Sequence, residues 1–147
     1  MAQQIEKSIV IESPATTVWN ILTDPHLSKE WIQEWWPEFM SLESNWMTGE
    51  PVVWKVHDGL VAAKGTVTHV EPFKKLEFSF RVSDPSFVEI NENITYRLES
   101  TKNLTRLFVV VGEFGDSPDQ VESYADALES WNRSLPKIKE LAERHLH

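Results

Sequence analysis

The sequence predicts an α+β fold in which a curved antiparallel sheet of six or seven strands wraps around one long C-terminal helix. Two short helices are expected between the first strand and the rest of the sheet. Two observations predict this order. The hydrophobic period changes from 3.6 residues to 2 at Phe39, remains 2 as far as Phe114, and returns to helical spacing after Ser117. Short turns divide the middle region into six apolar segments, which is typical of an antiparallel meander.

The N-terminal region predicts one strand and two helices. Apolar residues at even spacing over residues 5–11 indicate the strand. Ser13-Pro14 is typical of a helix start, with Ser as the N-cap and Pro at the first helical position. Asp24-Pro25 starts a second helix in the same way, and Pro37 ends it. The large apolar residues of that helix lie four apart on one face, at Leu27, Trp31 and Trp35.

The middle region alternates between apolar and polar residues. Asp58-Gly59 is a strongly favoured hairpin dipeptide, and Glu71-Pro72 and Lys102-Asn103 mark further turns. The apolar positions of the predicted strands include Val52, Trp54, Leu76, Phe78, Phe80, Ile94, Tyr96, Leu107, Val109 and Val111. This period of two predicts strands with one buried face.

The last element is predicted to be a long amphipathic helix. Ser117-Pro118-Asp119-Gln120 combines an N-cap, a Pro in the first turn and a capping-box Gln. An apolar stripe follows at steps of three and four residues, formed by Val121, Tyr124, Leu128, Trp131, Leu135, Ile138 and Ala142. Pro136 is expected to kink this helix, since it lacks an N–H and its ring crowds the preceding turn.

The composition excludes several classes of function. The 147 residues are expected to form one domain, spanning 1–147. A formal net charge of −9 argues against nucleic acid and membrane partners, because both require a basic surface. The chain has no cysteine and no recognisable metal or nucleotide motif, so we expect no metal site and no cofactor. The N-terminus lacks the apolar core of a secretion signal, which predicts a cytoplasmic protein.

Segments along the whole chain carry a family resemblance. They are Ile11-Glu12-Ser13-Pro14, Val18-Trp19, Leu22-Thr23-Asp24-Pro25, Leu27 to Trp31, Gly49, Trp54, Gly65-Thr66-Val67, Val70-Glu71-Pro72, Leu76, Thr105-Arg106-Leu107, Trp131 and Leu135. In this order the chain resembles the SRPBCC superfamily of START-like, or birch-pollen-allergen-like, helix-grip domains. Within it, the chain is most similar to the branch named after the C-terminal domain of the heat shock protein 90 ATPase activator. The resemblance implies a cavity between the concave face of the sheet and the long helix, but no universal catalytic motif.

The seven tryptophans suggest what lines such a cavity. Tryptophan is rarely buried completely, because its indole N–H requires a partner. The residues expected to line the cavity are Trp31, Trp35, Trp54, Val67, Phe78, Phe80, Tyr124, Leu128 and Trp131. This lining predicts a flat or lipid-like apolar ligand. The alternative is that the same side chains pack as an ordinary core and leave no cavity.

Three polar residues share strand faces with apolar neighbours. Glu92 alternates with Ile90 and Ile94, and Glu113 shares its parity with the valines of its own strand. A carboxyl group on an apolar face should have a raised pKa, as a general acid requires. His69 shares a face with Val67, unless a bulge before Val70 turns it outward. The alternatives are that both Glu side chains reach water near strand ends and that His69 is a hydrogen-bonded core histidine.

Three functions therefore remain open. The first is a module that binds a small hydrophobic or aromatic ligand, with no assigned catalysis. The second, which only the family resemblance suggests, is an interaction protein that regulates a chaperone. The third is a cyclase- or hydrolase-like enzyme that uses Glu92, Glu113 or His69 as acid or base. The expected partners are thus a small apolar ligand and a chaperone, and the expected state is a monomer or a weak dimer.

Overall fold

The strands form an antiparallel sheet in which the second to seventh strands pair in chain order and the first pairs with the last. The computed structural model describes residues 3–82, 90–114 and 117–144. The strands are β1 (Gln3–Ile11), β2 (Phe39–Ser44), β3 (Pro51–Val56), β4 (Val61–Glu71), β5 (Lys75–Val82), β6 (Ile90–Thr101) and β7 (Leu104–Phe114). The helices are α1 (Ala15–Thr23), α2 (Pro25–Ile32) and α3 (Pro118–Arg144). The strand order is β1-β7-β6-β5-β4-β3-β2, which confirms the predicted meander and the α+β helix-grip fold.

The first strand pairs with the last strand and forms one edge of the sheet. β1 runs antiparallel to β7, with Ile5 opposite Val111 and Ile9 opposite Leu107, so apolar side chains of both strands lie side by side. β1 and β2 occupy opposite edges of the sheet. The α1–α2 segment therefore has to connect one edge to the other, which brings its apolar residues to the inner face.

The predicted N-caps of the first two helices behave differently. Asp24 caps α2 as expected, because its carboxylate accepts the N–H groups of His26 at 2.8 Å and Leu27 at 3.1 Å. The prediction for Ser13 was wrong, since Pro14 occupies the N-cap position of α1. The Ser13 hydroxyl instead donates to the carbonyl of Ala142, and the Ser13 carbonyl accepts from the Thr105 hydroxyl at 2.7 Å. Ser13 thus ties the β1–α1 junction to α3 and β7.

The second helix ends earlier than Pro37 predicts. α2 stops at Ile32, and the N–H of Trp35 bonds to the carbonyl of Ile32 at 3.1 Å in a tighter turn. The Gln33 side-chain amide then donates to the carbonyl of Phe39 at 2.7 Å, which links this turn to β2. Trp35 consequently follows α2 rather than belonging to it.

The long helix is confirmed and its two halves differ in burial. α3 continues through Pro136 without interruption. Its C-terminal half buries an apolar face made of Leu135, Ile138, Leu141 and Ala142. Near the start of the helix, Val121 is 55% exposed. None of the helices within the described ranges is long and apolar enough to cross a membrane.

Candidate ligand-binding cavity

A cavity of about 130 Å³ lies between the inner face of the sheet and the helices. The sheet contributes side chains from β2, β3, β5 and β6, and the opposite wall comes from α2, the turn after it, and α3. The predicted residues that line it are Trp31, Trp35, Trp54, Phe78, Phe80 and Trp131. The aromatic side chains therefore enclose a space rather than filling the interior completely.

Part of the sheet wall is built from one aromatic residue on β3, Trp54, and two on β5, Phe78 and Phe80. The ring of Trp54 lies 4.7 Å from that of Phe80, edge to face, and 5.8 Å from that of Phe78. β4 runs between these two strands, and the residue opposite Trp54 is the buried Ala63. A methyl side chain on β4 leaves room for the Trp54 ring to reach the phenylalanines. The spacing of small and large residues across three strands thus shapes this wall.

The helical wall is connected to the sheet by Trp131. Its ring lies 5.8 Å from that of Trp31 and 5.9 Å from that of Tyr96. The indole N–H of Trp31 donates to the carbonyl of Ile21 at 2.9 Å, which holds its ring in one orientation. Tyr96 in turn lies 5.6 Å from Phe78. Edge-to-face and tilted ring pairs at such distances add to the stability that burial alone provides.

Glu92 is the acidic group on the sheet side of the cavity. Burial raises the pKa of its carboxyl group from 4.5 to about 7, because the charged form loses its hydration. Within the described part of the chain, no hydrogen bond or ion pair reaches this carboxyl group. The other charged residue on the lining is Asp126 of α3, which is also acidic.

Tyr96 adds a hydroxyl group to the lining. The residue is only 3% exposed, and burial raises the pKa of its hydroxyl above the ordinary value. Among the described side chains, none has a fully buried polar atom without a hydrogen-bond partner. The Tyr96 hydroxyl makes no hydrogen bond within the described residues, and the residue lines the cavity. A ligand in the cavity can therefore form a hydrogen bond with it.

The remaining predicted residues lie elsewhere. Val67 is buried on β4 but does not line the cavity. Tyr124 packs edge-on against Phe114 with the ring centres 5.5 Å apart, and Leu128 packs against the core without reaching the cavity. α3 presents a neighbouring face instead, made of Asp126, Ala127, Ser130 and Trp131.

The fold separates two of the three acid–base candidates, Glu92 and His69. Glu92 lines the cavity, whereas His69 lies on the outer surface with its side chain 46% exposed. The register of β4 and β5 shifts between Val67 and His69, so the bulge turns the histidine outward, where it pairs with Glu71 at 3.1 Å. The backbone of Glu113 belongs to β7, and its side chain lies outside the described residues.

Three polar residues of the lining were not predicted from the sequence as lining residues: Tyr96, Asp126 and Ser130. Tyr96 had a usable signal, because it shares strand parity with Glu92 and Ile94. Asp126 and Ser130 had none, since both are polar and stand beside the apolar stripe of α3. Across the described ranges, no group of three or more His, Asp or Glu residues is arranged to hold a metal ion.

The family of the chain follows from its sequence. The sequence model of the family described as Activator of Hsp90 ATPase homolog 1-like protein matches residues 12–143. The chain belongs to this family. The AHSA1-like match covers every residue that lines the cavity, from α2 to α3. It confirms the resemblance drawn from the sequence. No curated protein matches the sequence.

Solved structures share the AHSA1-like fold. Protein MLL2253 from Mesorhizobium loti is 26% identical, with a TM-score of 0.78 over 97% of this chain and 98% of that one. Protein NE0264 from Nitrosomonas europaea is 18% identical, with a TM-score of 0.72 over 96% and 94%. The Aha1 dimer from Colwellia psychrerythraea is 17% identical, with a TM-score of 0.68 over 96% of both chains. Each of these similarities extends over nearly the whole of both chains.

Proposed function

We propose that this protein binds a small aromatic molecule in the cavity between the sheet and α3. The observation that supports this most directly is the lining: aromatic rings on both walls, with a hydroxyl and a carboxyl group among them. Ligand sites are mostly apolar clefts that contain a few polar groups to orient the ligand. The cavity has this composition.

The volume restricts the size of the ligand. Ligand pockets commonly measure roughly 300–1,000 Å³, whereas an apolar cavity of about 150 Å³ accepts benzene. The cavity here measures about 130 Å³. A single-ring compound therefore fits the proposal better than a lipid chain does.

Filling the cavity from α3 tests this proposal. Ala127 lines the cavity, so an Ala127→Leu substitution places an isobutyl group in the space that a ring would occupy. We expect it to reduce the affinity for benzyl alcohol at least tenfold in an NMR chemical-shift titration. Ala125→Leu is the matched control, because Ala125 lies on the exposed side of the same helix. Equal affinity of the folded Ala127→Leu variant and the parent would refute ligand binding in this cavity.

A second candidate is acid–base catalysis by Glu92. The observation that favours it is the pKa of about 7, because a group with this pKa exchanges protons readily at neutral pH. Tyr96 could then donate a hydrogen bond to a substrate oxygen on the same wall. Carboxyl-selective NMR of Glu92 tests the premise, and a midpoint near its ordinary value would remove this candidate.

A third candidate is regulation of a heat shock protein 90 chaperone. The support is the description of the family and the structural similarity to the Aha1 dimer from Colwellia psychrerythraea. The test is the ATPase rate of purified chaperone with and without the protein, and an unchanged rate would remove this candidate. Native mass spectrometry distinguishes a monomer from a weak dimer.

A further inference from the structure

We infer that the ligand is a small arylalkyl amine. Its aromatic ring would lie between the aromatic side chains, and its ammonium group would lie at the carboxylate of Glu92. This inference rests on the proposed binding function and specifies the chemistry of the ligand. Three observations carry it: the sign of the charges on the lining, the aromatic rings around them, and the hydrogen-bond acceptors elsewhere on the lining.

The charged residues on the lining are both acidic. Glu92 projects from β6 and Asp126 from α3, and the lining includes neither Lys nor Arg within the described residues. On β5 the residue opposite Glu92 is Phe80, which offers no charge. A carboxylate removed from water is costly unless a cation pairs with it, and a cationic ligand would supply the partner that the described lining lacks.

The aromatic walls also favour a cation. The face of an aromatic ring carries partial negative charge, and ammonium groups are attracted to the faces of Trp and Tyr. Trp54, Tyr96 and Trp131 provide such rings around the cavity. A ligand with a carboxylate group would be repelled by the negative charges of Glu92 and Asp126 and by the partial negative charge of the ring faces. A neutral ring compound would fit but would leave the Glu92 carboxylate without a partner.

The lining also contains oxygen atoms that can accept hydrogen bonds from an ammonium group. The Ser130 hydroxyl donates its proton to the carbonyl of Asp126 at 2.9 Å, so its oxygen lone pairs remain available. The Tyr96 hydroxyl oxygen is a further acceptor on the sheet side. A protonated primary amine has three N–H donors, and the lining offers oxygen acceptors on both the sheet wall and the helical wall.

Three probes of the same ring and different charge test the inference. Benzylamine is cationic at pH 8, benzyl alcohol is neutral and benzoate is anionic. We expect the parent protein to bind benzylamine at least tenfold more tightly than benzyl alcohol, and benzoate the most weakly, in NMR titrations. Glu92→Gln should abolish the preference for benzylamine and retain binding of benzyl alcohol. Glu122→Gln is the matched control, since it removes one acidic charge from the exposed surface of α3.

The outcomes separate this inference from the proposal on which it rests. Equal binding of benzylamine and benzyl alcohol, or a preference that survives in Glu92→Gln, would overturn the inference and leave the cavity as a binding site. Absence of binding for all three probes would overturn the proposed function itself. If Glu92→Gln failed to fold, the order of affinities in the parent protein would still decide.

Discussion

At the scale of single residues, Glu92 has a carboxyl group that the fold removes from water without providing a partner among the described residues. An apolar residue at this position would avoid the cost of desolvation. Positions where a titratable group lies in a cavity with a shifted pKa are enriched in functional sites. The cost of keeping Glu92 therefore favours a role in ligand binding or catalysis over a role in stability.

The pH dependence of stability tests this description of Glu92. Its pKa is about 7 in the folded state, against an ordinary value of 4.5, so the folded protein binds more protons than the unfolded chain between these values. The free energy of unfolding should therefore fall as the pH rises from about 4.5 to 7, by up to about 3 kcal/mol. Glutamine does not ionise, so the Glu92→Gln variant should not lose this part of the free energy of unfolding as the pH rises. At pH 8 the variant should therefore be more stable than the parent.

Urea denaturation of both proteins from pH 4 to pH 8 measures the difference. At pH 4 the parent carboxyl group is protonated in both states, and the two proteins should differ by much less than at pH 8. Other carboxyl groups with lowered pKa values, such as Glu43 and Glu143, are common to both proteins and cancel. A stability difference that is the same at every pH would show that Glu92 titrates normally.

Strand parity predicted the positions of several lining residues, but it could not identify the exceptions. Glu92, Phe78 and Phe80 lie on the face that their spacing indicates. His69 does not, because the bulge between Val67 and His69 reverses the alternation. Ser13 has the residue type of an N-cap, yet its hydroxyl bonds to α3 instead, since the partner lies 129 positions away in the chain. Local patterns carry no information about such long-range partners.

At the scale of elements, the close approach of β4 and β5 decides how the sheet wall is built. Gly65 lies where a Cβ atom would come 1.7 Å from the backbone carbonyl oxygen of Ser79. The Ser79 hydroxyl accepts the N–H of Thr66 at 2.9 Å, which holds the two strands at this distance. Gly65 and Ala63 thus provide two positions on β4 with little or no side chain, next to the aromatic residues of β3 and β5.

Gly65→Ala should therefore be strongly destabilising. The added methyl group meets backbone rather than a movable side chain, so β4 and β5 have to separate. We expect the free energy of unfolding to fall by at least about 2 kcal/mol, which is large for a single methyl group. Lys64→Ala, at an exposed neighbouring position, should change it by no more than about 0.5 kcal/mol. Similar urea midpoints for the two variants would contradict the close approach of the strands.

At the scale of the whole molecule, α3 combines two environments in one helix. Its C-terminal half contributes Leu135, Ile138 and Leu141 to the core, whereas its first turns include the exposed Val121 and the half-buried Tyr124. The cavity lies where these two environments meet, at Ala127 and Trp131. A ligand can therefore contact α3 without disturbing the part of the helix that anchors it.

Hydrogen exchange should reveal this division. We expect backbone amides of residues 118–130 to exchange faster than those of 131–144, because fewer buried contacts oppose local opening. Saturation with a ligand should protect the segment around Ala127 and Trp131 and leave the C-terminal turns unchanged. Mass-spectrometric exchange on the intact protein measures both, and uniform protection along α3 would contradict the proposed gradient.

Periodicity and turn residues predict the order of the elements, the meander and most of the inward faces, because both act over a few neighbouring positions. Which of those side chains meet depends on the packing of the elements. Tyr96 rather than Tyr124 lines the cavity, and its α3 wall includes the polar residues Asp126 and Ser130. These outcomes depend on the placement of α3 against the sheet and on the spacing between strands. Both are set by contacts between residues far apart in the chain, which no local pattern records.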